Sequence, residues 1–260
     1  MTMTNPHGTW SGTLALGSGL VVYVGPGSSA DAHRHDAIQL IWSPSDPVQV
    51  HTEHSSTTAH AALIPPRQTH SFDADGADIA ILLIEPSGPL GQRLAALANE
   101  LAATDVETRL AETRLPPTGD GAAAISWSRD LLSALTGDDT ANGPSQVRPE
   151  VLGAIDFIDA HLDQPPLLTA AARDVGLSPR QLRRSFTSDI GIPFRRYVLW
   201  RRLRRALLTV RDGADLTTAA ATAGFTDSAH FSRTFRQTFG LAPSDVLPLI
   251  AIDEADFAGP

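Results

Sequence analysis

A chain of 260 residues, 42% of them hydrophobic, can bury one large core or two modest ones, and it has no apolar run long enough to span a membrane. With no cysteine, disulfides, thiolate metal sites and cysteine nucleophiles are excluded; together with a start lacking a basic-then-apolar leader, this fits a cytoplasmic protein. The net charge of −9 argues against a nucleic-acid partner only on average, because residues 1–172 hold 7 Arg against 20 Asp and Glu, whereas 173–236 hold 13 Arg against 5 acids.

Residues 9–86 contain short apolar runs broken by Gly, Pro, Ser and Asp, such as "GLVVYVGPG", "AIQLIWSPSDP" and "ADIAILLIEPSG". Strands of that length between turn signals predict a small antiparallel sandwich or barrel. Within it, "AHRHDAIQLI" puts His33 and His35 two apart and Gln39 four further on, and alternate side chains of a strand share a face. A straight strand would hold His33 and Gln39 about 20 Å apart, so a shared ligand needs a bend at "HDAI". Six of the nine histidines fall between residues 33 and 70.

From Leu90 the spacing turns helical in "LGQRLAALANELAA" and "DGAAAISWSRDLLSAL", split by "LPPTG". These helices are candidates to cover the outward strand face carrying Ile38, Leu40 and Trp42, and to make dimer contacts. The loop "TGDDTANGPSQ" then leads to a wholly helical region from near Val147, and the last residues are expected to fray.

That region repeats. "LLTAAARDVGLS" (167–178) aligns with "DLTTAAATAGFT" (215–226) at an offset of 48. After one added residue, Arg184 matches Arg233, Phe186 matches Phe235 and Gly191 matches Gly240. Each copy has small alanines for close helix approach, a glycine for the turn, Ser178 or Thr226 as N-cap, and an apolar stripe (Leu182 and Phe186; Phe231 and Phe235). This is a helix-turn-helix, present twice. Between the copies, 193–213 predicts a long helix with Tyr197, Leu203 and Leu207 on one stripe and Arg195, Arg196, Arg201, Arg202, Arg204 and Arg205 around it. Such a spacer would set two reading heads about one DNA turn, roughly 34 Å, apart.

Over residues 147–247 this pattern, with "GFTDSAHFSRTFRQTFGLAP", resembles the DNA-binding domain of AraC/XylS-family transcription regulators. The resemblance implies double-stranded promoter DNA and RNA polymerase as partners. It assigns DNA-facing positions to Ser178, Arg180, Gln181, Arg183 and Arg184 in the first unit, and to Ser228, Ala229, Ser232, Arg233 and Arg236 in the second. Arginine reads guanine bidentately, whereas Ser228 and Ala229 are short, so the first unit is expected to carry more of the specificity.

The first half resembles the cupin barrel found as a sensor in such regulators: Gly27 precedes His33 at the cupin spacing, His35 follows, and Gln39 takes the carboxylate's place. "PPRQTH" supplies Pro65 and His70, with Arg67 where glycine is usual. His33, His35, Gln39 and His70 are then the ligand-binding residues. Three readings stand: His33, His35 and His70 hold a divalent metal (Zn, Ni or Fe), line a pocket for an organic effector, or fill the barrel structurally. The neutral Gln39 argues against oxygen chemistry.

The expected fold class is α+β: a cupin-like antiparallel β-barrel (1–89), a helical connector that supports dimerisation (90–145), an all-α domain of two helix-turn-helix units joined by a long helix (146–250), and an acidic tail (251–260). The expected function is a non-enzymatic DNA-binding regulator controlled by a small molecule or metal. The alternatives are a metal-dependent cupin enzyme with a helical appendage, and a DNA binder whose first half only dimerises.

Overall fold

The computed structural model describes residues 10–17, 19–86, 88–137, 147–164, 167–190 and 192–254. The loop expected at 136–146 and the tail beyond Glu254 lie almost wholly outside them. Nine strands come first: β1 Thr13–Gly17, β2 Leu20–Pro26, β3 Ser29–His33, β4 Ile38–Trp42, β5 Val48–Thr52, β6 Ser56–Ala59, β7 Ala61–Ile64, β8 His70–Asp73 and β9 Asp78–Ile84. Helices α1 Gly88–Glu100, α2 Ala103–Leu110 and α3 Gly121–Thr136 follow. The C-terminal half holds α4 Pro149–Ala160, α5 Leu168–Asp174, α6 Pro179–Asp189, α7 Phe194–Arg211, α8 Leu216–Thr222, α9 Ser228–Phe239, α10 Pro243–Val246 and β10 Ala251–Glu254.

The strands form two sheets instead of the expected closed barrel: a large one in the order β10-β1-β2-β9-β4-β7 and a small one in the order β3-β8-β5-β6. The apolar runs of the large sheet are continuous because both of its faces are covered. Leu14, Leu16, Val21, Tyr23, Ile41, Ile79 and Leu83 face the small sheet's Val48, Val50 and Phe72. Val22, Val24, Ile38, Leu40, Trp42, Leu82 and Ile84 pack on Leu94, Val106, Leu110, Ile125, Leu131 and Leu135 of α1–α3. Those helices therefore use their apolar stripes to cover the sheet.

The C-terminal half is not wholly helical, and residues 251–254 are not a frayed tail. Strand β10 pairs in parallel with β1, Thr13 opposite Ala251. Its Ile252 is buried, and Asp253 Oδ2 accepts a hydrogen bond from Gly121 N at 2.8 Å, at the start of α3. The parallel pairing also breaks the all-antiparallel expectation.

Both helix-turn-helix units form, each turning at a left-handed glycine, Gly176 (φ 71°) and Gly224 (φ 76°). Their cores differ. Val151, Ala154, Ile158, Ala171, Leu182, Phe186, Phe194 and Tyr197 make a separate core for the first unit. Ala219, Ala220, Phe225, Phe231, Phe235 and Val246 join the core of the two sheets. The stripe predicted on α7 is split accordingly: Tyr197 belongs to the first core, Leu203 and Leu207 to the shared one. The residue added between the repeats precedes the second cap, so Asp227 caps α9 in place of Thr226, its Oδ1 accepting from His230 N at 2.6 Å.

Candidate metal centre and nucleic-acid interface

The sequence "HRHDA" does not run straight. β3 ends at His33 in the small sheet, residues 34–37 cross the gap, and β4 begins at Ile38 in the large sheet. This is the bend a shared ligand requires. His70, first residue of β8, pairs directly with His33, and Gln39 is supplied from β4 across the sandwich. One nitrogen from each of His33, His35 and His70 lies within 4.8 Å of the others, and all three rings are buried. Gln39 Oε1 is 2.8 Å from His35 Nε2 and 3.0 Å from His70 Nε2.

Each ring is held by its other nitrogen. Nδ1 of His33, His35 and His70 lies 2.8, 3.0 and 2.9 Å from the carbonyls of Asp31, Ala37 and Gln68. A carbonyl only accepts, so each Nδ1 carries the proton and donates, leaving a lone pair on every Nε2. Burial lowers the pKa of all three; for His70, with the neighbouring His33 as a second cause, it falls to about 3. Three neutral imidazoles with converging Nε2 lone pairs and carbonyl-anchored Nδ1–H groups form a donor set that could hold a divalent metal ion. With Oε1 of Gln39 toward those lone pairs, acceptors face one another; the contact becomes favourable when the Gln39 amide turns its NH2 to them or when a cation lies between. Among the described residues, no carboxylate joins the three histidines.

Arg67, where cupins carry glycine, adopts a left-handed φ of 67°. Its backbone N–H donates to His35 O at 2.8 Å and its Nε to Asp36 Oδ1 at 3.0 Å, which holds the loop under the histidines. Gly27 is held by close packing: a Cβ there would run into Ile79. The other histidines of the cluster in sequence stand apart. His51 pairs with Ser56, His54 is exposed, and His60 Nδ1 donates to Ser43 O.

The centre lies where the two halves meet. His33 and His35 line a cleft of about 710 Å3 that is also lined by Arg196 and Trp200 of α7 and Arg236 of α9. Glu85 lines the same cleft, and burial raises its pKa to about 8. On the other side of Gln39, an apolar cavity lies between Trp10, Tyr23 and Phe72 of the sandwich and Phe235 and Phe239 of α9.

On α6, Arg180, Arg183 and Arg184 are exposed and have no ion-pair partner among the described residues. Ser178 and Gln181 are occupied otherwise: Ser178 Oγ accepts from Gln181 N, and Gln181 Oε1 accepts from Ser178 N at 3.0 Å and Ser178 Oγ at 2.6 Å. They form a capping box, so in this conformation their first role is to start the helix. On α9, Ala229 and Arg233 are exposed and Ser228 and Ser232 half-buried. Arg236 is set apart from them, facing the interdomain cleft. Three of the connecting-helix arginines serve internal contacts: Arg201 grips Asp159 through two bonds of 2.7 and 2.5 Å, Arg202 donates to Gln164 O, and Arg196 pairs with Asp36 at 2.6 Å.

Nothing in the sequence marks Asp36, Arg196 and Gly240 as linking the halves. Gly240 carries only the signal of a helix C-cap; what it touches depends on how the halves dock.

Residues 171–247 match a family described as a helix-turn-helix domain. The "Probable thc operon regulatory protein" of Rhodococcus erythropolis is 34% identical over 98 residues, covering 36% of this chain and 30% of that protein. "Transcriptional activator RhrA" of Rhizobium meliloti is 36% identical over 87 residues, 32% of this chain and 27% of the other. The chain thus covers less than a third of either relative. A crystal structure of an AraC-type DNA-binding-domain regulator from Chromobacterium violaceum is similar at 30% identity, covering 37% of this chain and 87% of that one, with a TM-score of 0.35. No helix among the described residues is long and apolar enough to cross a membrane.

Proposed function

We propose that this chain is an AraC/XylS-type transcription regulator: its C-terminal half binds promoter DNA, and its N-terminal half binds the effector that controls it. The observation carrying this reading is the pair of helix-turn-helix units in the region of the family match, with exposed arginines on both second helices. On α6, Arg180 and Arg184 are four residues apart on one face and reach one groove as direct readers. Arg183 supplies phosphate contacts and Arg233 anchors the second head. α7, 18 residues or about 27 Å long, spaces the heads.

For the effector, the Nδ1-anchored imidazoles favour a divalent ion such as Zn²⁺, Ni²⁺ or Fe²⁺ over an organic molecule or inert packing. The missing carboxylate favours sensing over catalysis. Homodimerisation and contact with RNA polymerase are part of the same reading.

The test is selection of duplexes from a random library on the full chain, followed by titration at fixed salt. A defined operator bound at least about 10³-fold more tightly than random duplex supports the reading. Equal affinity for both sinks it. Elemental analysis of the same preparation should give one metal ion per chain, lost in His70→Gln.

A further inference from the structure

The loop that carries the histidines is also what grips the DNA-reading half. Its two grips fall on α9, the second reading helix, and on α7, which spaces the two. At the first, His33 lies flat against Gly240, the left-handed cap (φ 74°) ending α9. A Cβ on Gly240 would stand 2.5 Å from His33 Nδ1 and 2.9 Å from its Cγ and Cε1. Beside it, Asp31 N donates to Gly240 O at 3.2 Å. At the second, Asp36, next to His35, pairs with Arg196 on the first turn of α7. Between the grips, residues 33–36 contain two of the three imidazoles of the centre.

We propose that segment 31–36 is a two-point clamp through which ion binding at His33, His35 and His70 sets the relative orientation of α7 and α9, so that metal and operator binding are energetically coupled. This rests on the reading of the histidines as a metal centre. Two physical effects supply the coupling. First, an ion held by one nitrogen of each of His33, His35 and His70 ties the three rings to one another, which fixes the His33 ring in its seat on Gly240 and the loop that carries it. Second, the ion's charge faces the carbonyl end of α9, the negative end of its dipole, which favours the docked over the released arrangement. A ligand shifts an equilibrium only through such differential interaction with the two states. The clamp leaves Ala229, at the other end of α9, and Arg233, at its middle, exposed, so it governs how that helix is aimed without covering it.

The test uses the full chain, Zn²⁺ and Ni²⁺ alone as probes, and the selected operator. One equivalent of ion should change operator affinity at least tenfold, and saturating operator should change ion affinity by the same factor, because coupling is reciprocal. Hydrogen exchange at 236–241 should slow when the ion binds. Arg196→Gln, which removes only a partly exposed ion pair, should keep one ion per chain and reduce the coupling to under threefold; Asp36→Asn, which also releases Arg67, should reduce it at least as far. If ion and operator bind indifferently to one another, or if both variants keep the full coupling, the clamp is wrong while the metal centre and the regulator reading stand. If no ion binds, the metal centre falls and the clamp with it. If no operator is selected, it is the regulator reading that has failed.

Discussion

The α-carbon of Gly224 lies against the carbonyl oxygen of Leu162 so closely that no Cβ fits between them. Gly176, the equivalent turn residue of the first unit, has the same left-handed backbone, and a Cβ added there would meet nothing within 4 Å. Gly176→Ala should therefore cost only the left-handed penalty, roughly 1–2 kcal/mol. Gly224→Ala should cost a further roughly 1–3 kcal/mol, because backbone must move at the joint between the units. Urea titration of both variants checks this; equal costs would mean that the joint yields freely.

The two helix-turn-helix units should also fail differently. Phe186 is fully buried in a core of its own, whereas Phe231 is fully buried in the core shared with the sheets. Truncating either to alanine should cost roughly 3–5 kcal/mol. Hydrogen exchange in Phe186→Ala should rise in α4–α6 and the start of α7, leaving β1, β2 and β8 protected. In Phe231→Ala it should rise in α8, α9 and those strands together. Protected strands in the second variant would refute the shared core.

That asymmetry marks the limit of what the sequence discloses. The repeat, its turn glycines and the four buried residues of its apolar stripes are local and periodic, and they read directly. His33, His35 and Gln39 were legible from strand spacing, and so was the need for a bend before Gln39 could join; His70 entered only through the resemblance to the cupin pattern. The partition of α7 between two cores was not, since Tyr197, Leu203 and Leu207 are equally apolar and differ only in what docks against them. β10 was hidden because "AIDE" is short and acidic; its strand state depends on the free edge of β1 and on the N-terminus of α3. The cap at Asp227 was within reach, since the offset of 49 pairs Ser178 with Asp227.

The cleft should make stability depend on pH in two opposed ways. Glu85 has its pKa raised from 4.5 to about 8 by burial, so the folded chain holds a proton that the unfolded chain has lost. This contribution is complete below about pH 4.5 and disappears as pH rises to about 8. The histidines act in reverse: their folded pKa values lie below 6.5, so the unfolded chain binds the extra protons. Their contribution is complete above pH 6.5 and is lost as pH falls below it, for His70 down to about 3. Urea titrations of metal-free protein from about pH 4 to about 8.5 should show Glu85→Gln removing the alkaline decline and His70→Gln reducing the acid one. A slope unchanged by both variants would assign the titration to other groups.

Exposed arginines divide into those that read sequence and those that hold phosphate. Arg180 and Arg184 are exposed on one face of α6, anchored at its start by the Ser178–Gln181 capping box. A bidentate arginine–guanine pair is worth roughly 1–3 kcal/mol of discrimination, whereas a phosphate contact weakens all duplexes alike. Arg184→Ala should therefore lower affinity for the selected operator by about 5- to 150-fold, with a much smaller loss on random duplex at the same salt. Arg233→Ala, on the head whose neighbours Ala229 and Ser232 are short, should reduce both affinities together and flatten the salt dependence by about one contact. Equal losses for Arg184→Ala on both duplexes would make it a phosphate contact and move the readout to Arg180. A gel-shift titration of the two variants against both duplexes at two salt concentrations distinguishes these outcomes.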